Sequence, residues 1–254
     1  MDRKELQIRY NAGKRDFAGL KLLESELLQL RLNNINFSRS DLRQSRLGRT
    51  HFCQANFEHS DLSESILWGS DLSEARMSHA RLREVDLSGA NLRQAQLVEV
   101  NLLKASLCGA NLQRADLSGA CLIEADLRPT ADSRTNLIQA NLQQADLSYG
   151  RLSGANLQGA NLARAILRRA NLGVDYRPGT WPTDLRGANL QGADLSYADL
   201  TGVNLEDANL QGADLTGTLL DQANLKKCGD APGLSPATRL RTSRFKGEGM
   251  MAPN

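Results

Sequence analysis

"SGANLQGANLARAILRRANL", residues 153–172, decides the fold. Leucine recurs every fifth residue, at Leu157, Leu162, Leu167 and Leu172, and an alanine stands two places before each. An amphipathic helix needs apolar residues three and four apart. A half-buried strand needs them two apart. Five fits neither. It fits a short extended piece followed by a corner. The leucine and the small residue two places earlier point the same way, the next two residues turn the chain, and the pattern restarts. Gly, Ser, Asn and Asp supply the turn chemistry.

Outward from this stretch the meter runs almost the whole chain. From Phe17 to Leu172 there are 32 centres in one register, and only Asp132 is not apolar. Nine leucines from Leu185 to Leu225 form a second series. The place before each centre is most often Asp or Asn. The chain must therefore coil, with the centre and the small residue inside and the rest outside. Phe17, Phe37, Phe57 and Met77 lie twenty apart, which predicts four sides per turn. Some forty apolar centres then make about ten coils, a rod of about 48 Å at about 4.8 Å per coil. Its interior is filled by Leu and Ala and leaves no room for a substrate.

This A(D/N)LXX meter resembles the pentapeptide-repeat family over about residues 15–227. The resemblance implies an all-β fold, a right-handed quadrilateral β-helix. "MDRKELQIRYNAG" predicts a short helical cap over 1–14: Asp2 and Glu5 have capping-box character, and Gly13 can stop a helix. The last stretch, 228–254, is polar, basic and without period, and is expected to be disordered.

Charge is balanced over the repeat body, where residues 1–228 hold 27 Lys and Arg against 27 Asp and Glu. The net +2 of the whole chain comes from the tail. No basic stripe tracks a phosphate backbone, so direct nucleic-acid binding is not expected. No apolar run has signal-peptide or membrane-span length. Cys53, Cys108, Cys121 and Cys228 lack metal-type spacing and read as free thiols in a reducing cytoplasm. His59 and His79, twenty apart, should stack at a corner, with too few ligands beside them for a metal. No nucleophile elbow, phosphate loop or zinc-protease motif appears. No enzyme activity, cofactor, metal or small-molecule substrate is expected. With no C-terminal helix to cap a dimer, a monomer is expected.

Function should then lie where the sequence departs from its meter. In "SILWGSDL" (65–72) Ile66 and Trp68 take outward places. They form an apolar interface patch, or else Trp68 lies flat over adjacent coils. "LRPTADSRTNL" (127–137) puts Asp132 at a core place, where an unpaired carboxylate is costly. An excursion is expected over 128–136, carrying Arg128 and Arg134. The second break, 173–184, carries Tyr176, Arg177 and Trp181, residue types that interfaces favour. It inserts eight residues or three. The repeated "ADLSY" at Tyr149 and Tyr197, 48 apart, favours eight.

"RYNAGKRDF", "DLRQSRLG", "ESILWGSDLSEA", "KASLCGANL", "ADLRP" and "ADLSYADL" are similar to members of the family that regulate heterocyst differentiation in cyanobacteria. That similarity implies a protein partner, a HetR-like transcription regulator, and opposition to its inhibition by a PatS-type peptide. The alternative is a DNA mimic protecting gyrase. It would need an acidic face, and only residues 185–225 approach one, with six acids against one Arg.

Overall fold

The computed structural model describes residues 1–174 and 180–228. Tyr176, Arg177 and the tail from 229 onward lie outside the described residues. The chain winds into a four-sided coil. Parallel bridges join each outward residue to the one a full turn later: Asp16 to Asn36, Lys21 to Asp41, Glu26 to Arg46 and Arg31 to His51. These four pairs start faces one to four. Each face stacks ten rungs, ending at Asn209, Asp214, Leu219 and Asn224.

The pentad works because four of its N–H groups recur in the same backbone bonds from coil to coil and the fifth is open to a side chain. Asp41 N–H bonds back to Leu20 O at 2.8 Å, while Leu22 N–H and Glu24 N–H bond forward to Asp41 O and Arg43 O at 2.7 and 3.0 Å. Ser25 N–H closes the corner on Leu22 O at 3.2 Å. The fifth, on the residue after the centre, has no backbone partner, and where Asp or Asn stands two places earlier its side chain meets it. Ser38 N–H to Asn36 Oδ1 at 3.0 Å and Ser118 N–H to Asp116 Oδ1 at 3.1 Å are examples. That bond is the physical reason for the Asp/Asn preference before each centre. The same side chains also bond between coils, as Asn141 Nδ2 to Asp116 Oδ1 at 2.9 Å and Asn161 Nδ2 to Asn141 Oδ1 at 3.1 Å.

Inside, the centres are closed to solvent from Leu27 to Leu210 and stack in columns. Phe17 and Phe37 lie 6.1 Å apart between ring centroids, Phe37 and Phe57 5.9 Å. Buried hydroxyls at the small position bond to main-chain carbonyls, as Thr50 Oγ1 to Leu27 O at 2.6 Å. Among the described residues no buried side-chain nitrogen or oxygen lacks a partner. The N-terminal end is covered by α1 (Arg3–Asn11), whose Asp2 cap accepts Glu5 N–H at 2.8 Å. Glu5 itself pairs with Arg9 rather than completing a capping box. Leu6 is fully buried in the same cluster as Leu30 and Ile35. At the other end Leu215, Leu220 and Leu225 are only partly buried.

Each corner places one residue in the left-handed region. Twenty-six non-glycine residues there have φ between 51° and 60°, all two places after a centre, and none is β-branched. A bulky Cβ branch is excluded from that region. Gln94, exposed with φ 58°, tests this. Gln94→Val is expected to lower stability by about 1–2 kcal/mol, whereas Gln94→Gly stays within about 1 kcal/mol of wild type. Denaturant midpoints would show the order.

The two breaks in the meter are excursions of different size. Asn111 pairs with Asn136, twenty-five residues on, so one whole pentad is extruded and Asp132 is exposed. Asn156 pairs with Asp184, twenty-eight residues on, an insertion of eight.

Candidate functional site

The corner between faces three and four gathers the irregular features. Ile66 is the third rung of face three and Trp68 follows it on this corner. The 128–134 excursion leaves after Asp126, the sixth rung of the same face. The second leaves after Asn171, the eighth. Trp68 and both excursions therefore share one edge, spread over about 24 Å at about 4.8 Å per coil.

Trp68 is 39% exposed and lies down along the rod. A Cβ at Gly48, one coil earlier, would fall 2.9 Å from its Nε1. The Arg49 guanidinium stands 4.5 Å from the ring centroid, within cation–π range. The indole thus packs on the preceding coil yet keeps a large part of one side open. Ile66 is half-buried beside it.

The excursions are built onto the rod by matching threonines. Thr135 Oγ1 donates to Arg128 O at 2.8 Å and accepts Gly109 N–H at 2.8 Å. Thr183 Oγ1 donates to Leu172 O at 2.6 Å and accepts Gly154 N–H at 2.8 Å. Glycine is required on the floor: a Cβ at Gly109 would meet the Thr130 side chain at 2.9 Å, and one at Gly154 the Pro129 ring at 3.0 Å and Trp181 O at 3.2 Å. Arg134 joins the two excursions. It is half-buried and donates to Gly154 O at 2.7 Å, Ala155 O at 3.0 Å and Pro182 O at 2.5 Å. Burial pushes its pKa down, against the charge of Asp184. Arg128 is held by Asp126 at 2.9 and 2.7 Å. Trp181 is half-buried. Of the sequence-derived residues the structure brings Arg134 and the backbone beside Trp181 together. Ile66 and Trp68 stand three coils away on the same edge.

Asp184, buried at the end of the second excursion, accepts Nε and Nη2 of Arg186 at 3.0 and 2.7 Å. Burial raises its pKa, but the Arg186 side chain and N–H, with the charge of Arg134, outweigh that and leave it lowered. A folded pKa below the unfolded value means stability present above about pH 3.9 and lost as pH falls through the folded value. Asp184→Asn is expected to cost about 1.5 kcal/mol at neutral pH. It should also flatten the acid limb of a melting-temperature profile.

Elsewhere the surface offers little chemistry. His59 and His79 stack at 5.0 Å and 6°, with Glu99 3.4 Å from His79. Among the described residues no group of three His, Cys, Asp or Glu could hold a metal ion. No helix of the described residues is long and apolar enough to cross a membrane. A shallow cleft of about 600 Å³ on face one is lined by amides and Arg164, without a paired nucleophile and base. A second, of about 560 Å³, holds Tyr149, Arg169 and Tyr197 on the corner of faces two and three. In the sequence those two tyrosines serve only to fix the length of the insertion. Their shared corner was the available signal.

A family model for pentapeptide repeats matches the chain in eight copies, which include residues 31–69, 54–89, 69–102, 90–128, 134–173 and 183–222. Among solved structures the chain is similar to HetL, a pentapeptide repeat protein involved in heterocyst differentiation regulation from the cyanobacterium Nostoc sp. strain PCC 7120. Identity is 51%, covering 92% of this chain and 99% of HetL, with a TM-score of 0.90. QnrB1, a plasmid-mediated fluoroquinolone resistance protein, is 18% identical over 80% of this chain and 91% of its own, with a TM-score of 0.35. A pentapeptide repeat protein of the Arabidopsis thaliana thylakoid lumen is 29% identical over 49% of this chain and 68% of its own, with a TM-score of 0.28. Among curated proteins nothing matches.

Proposed function

The chain belongs to the pentapeptide-repeat family, and on that premise we propose that it is a non-enzymatic interaction module regulating heterocyst differentiation. It binds a HetR-like transcription regulator in the cytoplasm, as a monomer, and opposes inhibition of that regulator by a PatS-type peptide. The observation that carries the regulatory reading is the 51% identity to HetL over nearly all of both chains. The β-helix sense is right-handed, as in the family.

The irregular corner supports the choice of surface. A solid rod with satisfied hydrogen bonds offers a partner only its outside, and a regular face repeats the same residue types coil after coil. Specific recognition needs a place that differs from its neighbours. The corner carrying Ile66, Trp68, Arg128 and Trp181 is such a place, with Arg134 acting through the loops it positions. Tyr176 and Arg177, outside the described residues, belong to the same proposal by sequence position. Trp and Arg are common anchors of protein interfaces.

The test is co-purification of a HetR-like regulator with this chain, with and without the inhibitory peptide. Binding that survives the peptide, or displaces it, supports the reading. No binding under either condition sinks it.

A further inference from the structure

The corner between faces two and three, separate from the edge just described, carries two large exposed rings. Tyr149 is 55% and Tyr197 60% exposed. Arg169 occupies the coil between them, its guanidinium 5.6 Å from the Tyr197 ring centroid. Gly217 seats Tyr197: a Cβ there would fall 2.6 Å from the ring. Ile123 adds an apolar wall and Asp214 an acidic rim to the cleft of about 560 Å³. Arg168 is paired with Asp194. The Asp214 carboxylate accepts Thr216 N–H at 2.9 Å and has no ion pair among the described residues. Beside this cleft Asp146, Asp194 and Asp214 share face two, against Arg168 and Arg169.

We propose that this corner docks a proline-rich segment of a partner protein, in the polyproline II conformation and carrying Arg or Lys beside its prolines. The spacing matches. The tyrosines stand two coils apart, about 9.6 Å at about 4.8 Å per coil. A polyproline II helix turns once in three residues, about 9.3 Å at 3.1 Å per residue. Side chains one turn apart therefore meet one tyrosine each. The backbone carbonyls of such a helix make no internal hydrogen bonds, and the Arg169 guanidinium, in the coil between the rings, can donate to them. Aromatic-lined grooves suit this ligand because it is already ordered before binding. Charge selects the rest of the segment. The Asp214 carboxylate, with Asp146 and Asp194 on the same face, favours a basic side chain and repels an acidic one.

The experiment uses the full chain and a fluorescein-labelled peptide of repeated Pro-Pro-Leu-Pro-Arg, followed by anisotropy. Saturable binding is expected. Tyr149→Ala and Tyr197→Ala should each weaken it about tenfold or more. Asp214→Asn should weaken it about threefold. Circular dichroism melts of the three variants should match wild type, since these side chains lie outside the core. Replacing the prolines by glycine should abolish binding. The proposal is overturned by absence of saturable binding, by equal binding of the glycine peptide, or by preference for a peptide with Glu in place of Arg. Undiminished affinity in both tyrosine variants overturns it as well. None of these outcomes bears on binding of a HetR-like regulator, which uses the other corner.

Discussion

Leu117→Ala is expected to destabilise the rod by about 2–5 kcal/mol, read as a lowered denaturant midpoint. Leu117 is fully buried, with coils above and below it. The cross-section is only one layer of side chains wide, so the lost methyl groups leave a void that no second layer can fill. Each coil contacts only its neighbours, so weakness in one coil weakens the coupling between the segments on either side. Leu225→Ala, at the partly buried open end, should cost about half as much or less. Equal losses at the two positions would contradict the account of the core.

Arg134→Ala is the second large effect. Its guanidinium holds three carbonyls, on Gly154, Ala155 and Pro182. Ala155 O also accepts Asp184 N–H, but Gly154 O has no other donor among the described bonds. Removing the donors should cost about 1–3 kcal/mol. Both excursions should also become more sensitive to protease, since Arg134 ties them together. Arg134→Lys should recover only part of the loss, because a point charge cannot span three acceptors as the planar fork does. Wild-type stability and protease resistance in Arg134→Ala would remove the clamp.

The coil was legible because its signal repeats some forty times. The number of sides followed from the column Phe17, Phe37, Phe57, which the structure stacks ring on ring. What sequence could not reveal was the rotation hidden in the first excursion. Extruding a complete pentad keeps the five-residue count intact while moving everything after it by one side. Counting straight through from Ile66 puts Asn171 on the wrong face. Only the pairing of Asn111 with Asn136 restores it and places the second excursion, like the first, on the edge of Trp68. The eight-residue insertion could be inferred because Tyr149 and Tyr197 both lie beyond that rotation. The inward turn of Arg134 had no sequence signal, since its partners are carbonyls that any residue provides. The corner hydrogen bond from Asp and Asn was visible as a preference, without its cause.

One measurement bears most directly on the claim that recognition lies on the edge of faces three and four. It is the affinity of a HetR-like transcription regulator for wild type and for Trp68→Ala with Trp181→Ala, by titration calorimetry. The account predicts a loss of about tenfold or more, with the melting temperature of the rod preserved. Binding by the double variant that equals wild type would contradict it.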